Sequence, residues 1–405
     1  MSKRPKKVFN DNPYPYHYEI DLKIERLTNL GMGIGRDNEW VVQVPFVFPG
    51  ERIRARIFLN HKNYYESDCL EIIESSPDRV EPKCELFGVC GGCQYQSLHY
   101  QKQLDWKQKQ VEECFAKIGG LSVDVQPTVS SPKQYGYRSK LTPHYEKMKV
   151  GLEPKLGFLK QGSRRMIVDV KSCSIATESI NESLPESREE LFNDRTKRKK
   201  GGTLLLREVL EGVVTNPNQM VTEKVNGMIF QFKAGEFFQN NPFILPTLVK
   251  HVIESAQPQT SHSLIDAYCG GGLFALSASS HFQKVAGIEI SREGFEGARN
   301  NAVLNQVENV DFYLGDASTI FSEVGSLPRP CSLIIDPPRK GCDIDFLKQT
   351  LEFSPTRIVY VSCDPSTQAR DAKILVEAGY KILHVQPFDL FPQTRHIENV
   401  LTLEI

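Results

Sequence analysis

The sequence predicts an α/β fold, with a doubly wound parallel sheet in its C-terminal part, a small β-barrel at its start and a β-rich region between them. Three observations carry this. From about Gly235 short apolar runs alternate with helical stretches, the pattern of a parallel sheet whose ligands sit beyond the strand C-termini. Between Tyr18 and Glu74 short β-like runs recur at the interval of a barrel or sandwich. Residues 120–232 are β-rich, with turn signals at Ser131-Pro132, Gly151 and Gly157.

A chain of 405 residues holds two or three domains and buries a sizeable core without disulfides. Lysine plus arginine, 49, balances aspartate plus glutamate, 50, so any nucleic-acid footprint must be local. No uncharged apolar run approaches the roughly 20 residues that span a bilayer, and Met1–Lys7 lacks the apolar core of a secretory signal. The expectation is a cytoplasmic monomer with no membrane partner. The ten cysteines are scattered apart from one tight cluster, which in a reducing compartment signals a metal rather than a disulfide framework.

In order, residues 1–14 read as a basic tail. Residues 15–76 read as the barrel, with strands at His17–Arg26, Trp40–Val44, Glu51–Asn60 and Ser67–Ile73 and a glycine turn at Gly31–Gly35. Arg52, Arg54 and Arg56 alternate, so period 2 puts three positive charges on one face; such a stripe tracks a phosphate backbone or is an ordinary solvated face. Residues 77–232 form the central domain, with a polar helix over about 98–117 and a charged surface loop over Asn181–Gly202 that contains Arg195–Lys200. Residues 233–405 form the third domain, with strands Ser263–Asp266, Val285–Ile290, Asp311–Leu314, Ser332–Asp336, Arg357–Ser362, Lys381–Val385 and Val400–Ile405.

After the first of these strands comes Asp266-Ala-Tyr268-Cys-Gly270-Gly-Gly272, whose glycines let the backbone turn tightly against a ligand at a helix N-terminus. The spacing is not the Gly-x-Gly-x-x-Gly of dinucleotide binders. An acid before the turn, Asp266, suits a ligand carrying an amine and a sulfonium. Glu289 ends the second strand, where an acid accepts hydrogen bonds from both ribose hydroxyls, and Asp316 follows the third, within reach of an adenine. Three acids at successive strand ends point to S-adenosylmethionine. Asp336-Pro-Pro-Arg339 then holds a carboxylate on a stiff turn over cofactor and target.

The acceptor atom is chosen by Cys363, delivered by an apolar strand to a turn closed by Asp364-Pro365. Carbon-5 of uracil is too weak a nucleophile to take a methyl from a sulfonium. Addition of a thiolate to carbon-6 makes an enolate that can, after which a base must remove the carbon-5 proton. Glu398, just before the last strand, is the candidate base, with His396 as its competitor. The bland alternatives are a buried inert thiol for Cys363 and a surface carboxylate for Glu398.

These residues resemble the RNA uridine-5-methyltransferases, over nearly the whole chain. The family's Ser-Cys-Asp-Pro motif matches Ser362–Pro365 and implies Cys363 as nucleophile. Its Phe-Pro-x-Thr-x-His-Val-Glu motif matches Phe391–Glu398, with Ile397 for valine, and implies Glu398 as base. Its Phe-x-Gln-Asn stretch matches Phe237–Asn240 and implies that Gln239 contacts cofactor and target. Tyr268, Glu289, Asp316 and Asp336 fall on its cofactor positions, and Leu273 departs from its usual small or polar residue. The implied fold of residues 233–405 is a class I S-adenosylmethionine methyltransferase, with a Rossmann-like sheet. Asn29–Arg36 and Phe48–Arg52 resemble a TRAM domain, an oligonucleotide-barrel fold that binds RNA.

Cys84, Cys90 and Cys93 need a fourth ligand, for which Cys173 is the candidate, and the spacing leaves zinc and an iron–sulfur cluster open. Resemblance to the ribosomal-RNA branch of the family implies a 4Fe–4S cluster there. The expected activity is therefore methylation of a uridine carbon-5 in RNA, ribosomal RNA being favoured over transfer RNA. The rivals are a nitrogen-directed base methyltransferase, which would not need Cys363, and a non-catalytic RNA-binding protein.

Overall fold

The computed structural model describes residues 13–147, 155–193, 200–256, 262–315, 321, 324 and 327–405. The chain divides into two compact units: Met1–Trp106 with Leu159–Met166 and Gln393–Arg395, and Lys107–Phe158 with Ile167–Pro392 and His396–Ile405.

In the first unit β1 (Glu19–Leu27), β2 (Met32–Asp37), β3 (Trp40–Pro45), β4 (Arg52–Asn60) and β5 (Tyr64–Glu74) close a barrel in the order β1-β2-β3-β5-β4. Alternate residues, among them Leu22, Ile24, Val42, Val44, Ile53, Ala55 and Ile57, fill its core. Strand β2 stands where the glycines predict only a turn. A Cβ on Gly33 would lie 2.6 Å from a Val47 methyl, and one on Gly35 2.9 Å from the Lys23 carbonyl, so these glycines serve a close strand approach. The arginine face is neutralised: Arg52 pairs with Glu74 at 3.5 Å, Arg54 with Asp21 at 3.0 Å and Arg56 with Asp68 at 3.5 Å. Such exposed pairs add little stability but cancel the stripe's field.

In the second unit α1 (Tyr100–Cys114), which begins in the first, ends in a π turn over Phe115–Gly119. Strands β6 (Lys140–Leu141), β7 (His144–Tyr145), β8 (Leu156–Leu159), β9 (Ile167–Asp169) and β10 (Gly202–Thr203), then β11 (Leu206–Val209) and β12 (Gly212–Val214), form small sheets around α2 (Glu178–Asn193). Helix α2 occupies much of the expected charged loop, because Ile180, Leu184, Ser187 and Leu191 recur on one face and are buried despite Pro185. The charge run at 195–199 lies outside the described residues. A hairpin of β13 (Met220–Val225) and β14 (Met228–Lys233) leads to the large sheet.

That sheet comprises β15 (Ser263–Ala267), β16 (Lys284–Glu289), β17 (Val310–Leu314), β18 (Cys331–Ile335), β19 (Arg357–Ser362), β20 (Lys381–Phe388) and β21 (Glu398–Glu404) in the order β17-β16-β15-β18-β19-β21-β20. The first five in that order are mutually parallel, whereas β21 runs antiparallel to both neighbours, so the sheet is mixed rather than all-parallel. Helices α3 (Leu245–Ser255), α4 (Leu273–Ala278), α5 (Arg292–Leu304), α6 (Ile344–Phe353) and α7 (Pro365–Glu377) complete the wound fold. Alternate strand residues enter separate cores, Ile265, Leu333 and Tyr360 one and Leu264, Ile334 and Val359 the other, so both faces are covered. No helix among the described residues is long and apolar enough to cross a membrane.

Candidate active site

Two cavities open at the C-terminal ends of the parallel strands. The first, of about 330 Å³, is lined by Tyr268, Gly270, Gly271, Leu273, Glu289, Gly294, Gln239 and Asp336 among others. Its floor is the turn after β15. Gly270 and Gly272 have φ of 53° and 88°, and Tyr268 takes φ 66° without being glycine, which brings backbone up to the ligand space. Glu289 ends β16 with both oxygens engaged: Oε2 accepts the Gly270 N–H at 2.9 Å and Oε1 the Ser291 N–H at 2.7 Å. Each keeps a lone pair, so the carboxylate is held still with capacity for two hydroxyls. A Cβ at Gly294 would lie 2.9 Å from Glu289 Cγ, which explains glycine there.

Asp266 and Gly272, expected at the cofactor, do not line this cavity. Asp266 is fully buried behind the turn, where Oδ2 accepts the Ala275 N–H of α4 at 2.8 Å. Burial pushes its carboxyl well above the ordinary range, and Oδ1 has no hydrogen-bond partner in the structure. Its place is to hold the turn. The Cβ position of Gly272 backs onto Leu276 and Phe312 at 3.2 Å. Asn301, unnoticed in the sequence, joins the same support by donating to Gly271 O at 3.0 Å while accepting Gln231 N–H at 2.8 Å. Asp316 lies outside the described residues.

The second cavity, of about 490 Å³, is lined by Cys363, Glu398, Asp336, Arg339, Gln239, Phe237, Arg138, Phe391, His396 and the two prolines of the Asp336 turn. Phe237, Gln239 and Asp336 line both cavities, so a group bound in one can meet a group bound in the other. Cys363 follows β19, and Asp364 caps α7 by accepting Ser366 N–H at 3.0 Å with Pro365 at the first helical position. Strand β21 runs beside β19 with Asn399 opposite Ser362, which sets Glu398 across from Cys363. The two motifs at the chain's end meet because the antiparallel strand returns between β19 and β20.

Electrostatically the cavity is crowded with acids. Burial pushes Asp336 up to about 7. Burial, with the nearby Asp336, pushes Glu398 well above the carboxylate range, against the pull of Arg339. Burial first, then Glu398 and Asp336, raises the Cys363 thiol to about 11, while the Arg339 guanidinium in the same cavity draws it down. Arg339 Nη2 also lies 2.8 Å from His396 Nδ1. Glu398 is 4% exposed, a setting in which an ionised carboxylate is a strong base.

Arg138 comes from the central region, where no local pattern marked it as a site residue, and Phe237, the first residue of the Phe-x-Gln-Asn stretch, is 78% exposed at the cavity.

The expected metal centre is not supported. Among the described residues no three of His, Cys, Asp and Glu are grouped to hold a metal ion, and Cys84, Cys90, Cys93 and Cys173 form no disulfide.

Residues 208–322 and 329–405 match the family model described as tRNA (Uracil-5-)-methyltransferase. The tRNA (uracil(54)-C(5))-methyltransferase of Schizosaccharomyces pombe is 41% identical over 98% of this chain and 80% of its own, and that of Saccharomyces cerevisiae 33% over 96% and 74%. An uncharacterized RNA methyltransferase of Halalkalibacterium halodurans is 32% identical over 95% of this chain and 97% of its own. Among solved structures, the Pyrococcus abyssi tRNA (uracil-54, C5)-methyltransferase in complex with S-adenosyl-L-homocysteine shares the fold, with a TM-score of 0.73, 24% identity and coverage of 95% of this chain and 100% of that one. Both fungal relatives are named for transfer RNA, so the expected ribosomal-RNA branch is not supported. The chain belongs to the RNA uridine-5-methyltransferase family, whose members methylate uracil carbon-5 in RNA with S-adenosylmethionine.

Proposed function

We propose that the chain methylates carbon-5 of a uridine in transfer RNA, at the position equivalent to uridine 54, with Cys363 as nucleophile and Glu398 as base. The observation that carries the chemistry is the second cavity, where a thiol and a buried carboxyl face each other across paired strands and share Gln239 and Asp336 with the first cavity. The choice of RNA rests on the names of the two fungal relatives.

The first cavity fits S-adenosylmethionine: Glu289 suits the ribose hydroxyls, the left-handed turn at Tyr268–Gly270 admits the chain of the amino acid, and Gln239 and Asp336 flank the way to the target. When bound, S-adenosylmethionine supplies an electrophilic methyl on a sulfonium. Cys363 loses its proton to solvent and adds through sulfur to carbon-6, which places the displaced electron pair on carbon-5; that pair would take the methyl as the sulfonium's bond to it breaks, leaving a neutral thioether. Glu398 then removes the carbon-5 proton, and the returning electron pair breaks the carbon–sulfur bond and frees Cys363. Arg339 is the cation that favours the thiolate against the neighbouring carboxyls of Glu398 and Asp336. We propose the barrel, residues 15–76, as an RNA contact, by surfaces other than its paired arginine face.

The test incubates the full chain with S-adenosylmethionine and unmodified transfer RNA or ribosomal RNA transcripts, and maps 5-methyluridine by nuclease digestion and mass spectrometry. One product at transfer-RNA position 54, abolished by Cys363→Ala, is expected. Modification of ribosomal RNA alone would overturn the substrate, and an active Cys363→Ala the mechanism.

A further inference from the structure

The turn that carries Arg339 has no regular secondary structure of its own, yet its backbone is tied at residues 339, 340 and 342 to one face of α7. Thr367 Oγ1 lies 3.2 Å from Arg339 O and 3.1 Å from Asp364 O, so its one hydrogen is shared between the turn and its own helix. Arg370 Nη2 donates to Lys340 O at 3.0 Å and Cys342 O at 3.4 Å. Asp371, fully buried, accepts the Cys342 N–H on Oδ2 at 2.8 Å, and that oxygen also accepts the Tyr360 hydroxyl at 2.8 Å. Its Oδ1 accepts from Arg370 Nε at 2.8 Å, which fixes the guanidinium that reaches the turn. Between them Gly341, at φ +76°, lies so close that a Cβ would meet Asp371 Oδ2 at 2.6 Å and Arg370 Nη2 at 2.7 Å.

Positions 367, 370 and 371 lie at i, i+3 and i+4, one stripe of the helix. That helix is capped by Asp364, the residue after Cys363. The thiol and the turn bearing the guanidinium that shares its cavity are thus fixed to the same rigid element. We propose that Thr367, Arg370 and Asp371 are positioning residues, which hold the Arg339 turn so that its guanidinium stays beside Cys363 in the cavity and favours the thiolate. The inference rests on Cys363 being the nucleophile. None of the three lines either cavity, so they act only through Arg339.

The charged and titratable groups facing the Cys363 sulfur are Glu398 of β21, Asp336 and Arg339 of the turn after β18, with His396 behind Arg339. Arg339 is the cation among them named as lowering the thiol, so a slack turn leaves the acids less opposed.

The experiment uses full-length protein without RNA and measures iodoacetamide alkylation of the Cys363 peptide by mass spectrometry over about pH 7–11, for wild type, Thr367→Val, Thr367→Ser and Asp371→Asn. Thr367→Val is near-isosteric at a half-buried site and keeps the fold; should Asp371→Asn unfold, Arg370→Gln takes its place. The profile of Thr367→Val and Asp371→Asn is expected to move to higher pH, with the rate at pH 8 lower by about threefold to tenfold. The kcat should fall in step, KM for S-adenosylmethionine should stay within about twofold, and Thr367→Ser should restore both. Superimposable alkylation profiles in wild type, Thr367→Val and the folded second variant overturn the inference. Failure of wild type to form any adduct with 5-fluorouridine RNA would instead overturn the nucleophile, since alkylation does not depend on that role.

Discussion

Replacing Glu398 by glutamine separates two effects of one carboxyl, because they carry opposite signs. As base, Glu398 removes the carbon-5 proton, and loss of a general base lowers turnover by about 10²–10⁴-fold. As a charge, it is the first group after burial that raises the Cys363 thiol to about 11. A neutral amide in its place should lower that value once Glu398 would have ionised. Alkylation of Cys363 at alkaline pH should then be faster by up to about tenfold in Glu398→Gln, although methylation all but ceases. With ordinary RNA and S-adenosylmethionine, the variant should accumulate a covalent protein–RNA species that already bears the methyl, visible as a band of retarded mobility and in the mass of the Cys363 peptide. Turnover within about tenfold of wild type would refute the role of base. Slower alkylation than wild type would refute the electrostatic account of the thiol.

Other outcomes follow from the same geometry. Glu289→Gln should weaken S-adenosylmethionine binding by about 10–100-fold in titration calorimetry, the worth of charged hydrogen bonds, whereas Asp266→Asn, which keeps the acceptor for Ala275 N–H, should bind within about threefold. Asp266 also has a pH signature. A carboxyl raised in the folded state contributes stability below its unfolded value of about 3.9 and loses it as pH rises through the folded value. The urea midpoint of wild type should therefore decline relative to Asp266→Asn as pH rises above about 4, and a relative gain would contradict the buried, proton-bound placement. Lys107 and Asp389 are fully buried and paired at 2.6 Å, and Lys107 Nζ also reaches Phe391 O at 3.3 Å. Lys107→Met should cost about 3–5 kcal/mol in urea unfolding, and adding Asp389→Leu should recover part of that loss.

How much of this is legible in the sequence depends on how local each cause is. The strands of the large sheet are legible because buried strands are short apolar runs; Arg357–Ser362 is read to the residue, and the others within a few residues. Cys363 and Glu398 are legible as strand-end residues in chemically odd settings, but their pairing depends on β21 inserting between β19 and β20, which no local pattern states. Asp266 shows the limit of a local pattern, because an acid before a glycine turn serves a helix N–H as well as a ligand, and here its Oδ2 accepts the Ala275 N–H. Strand β2 is hidden by glycines required for close approach, and α2 by Pro185 and its charged outer face. The arginine stripe is real as a period, yet its partners come from neighbouring strands and cancel it. Arg138 reaches the target cavity from the central region, so only the folded chain joins it to Cys363.

The most direct test of the account is a covalent trap. Full-length protein, S-adenosylmethionine and transfer RNA containing 5-fluorouridine are combined, since a carbon-5 fluorine cannot be removed as a proton and the adduct cannot resolve. A stable protein–RNA species is expected, whose nuclease-trimmed peptide carries the methylated fluorouracil on Cys363, at the nucleotide equivalent to position 54. Absence of an adduct while S-adenosylmethionine binds and ordinary RNA is still methylated would contradict it, and would mean that the methyl reaches its acceptor without the thiol.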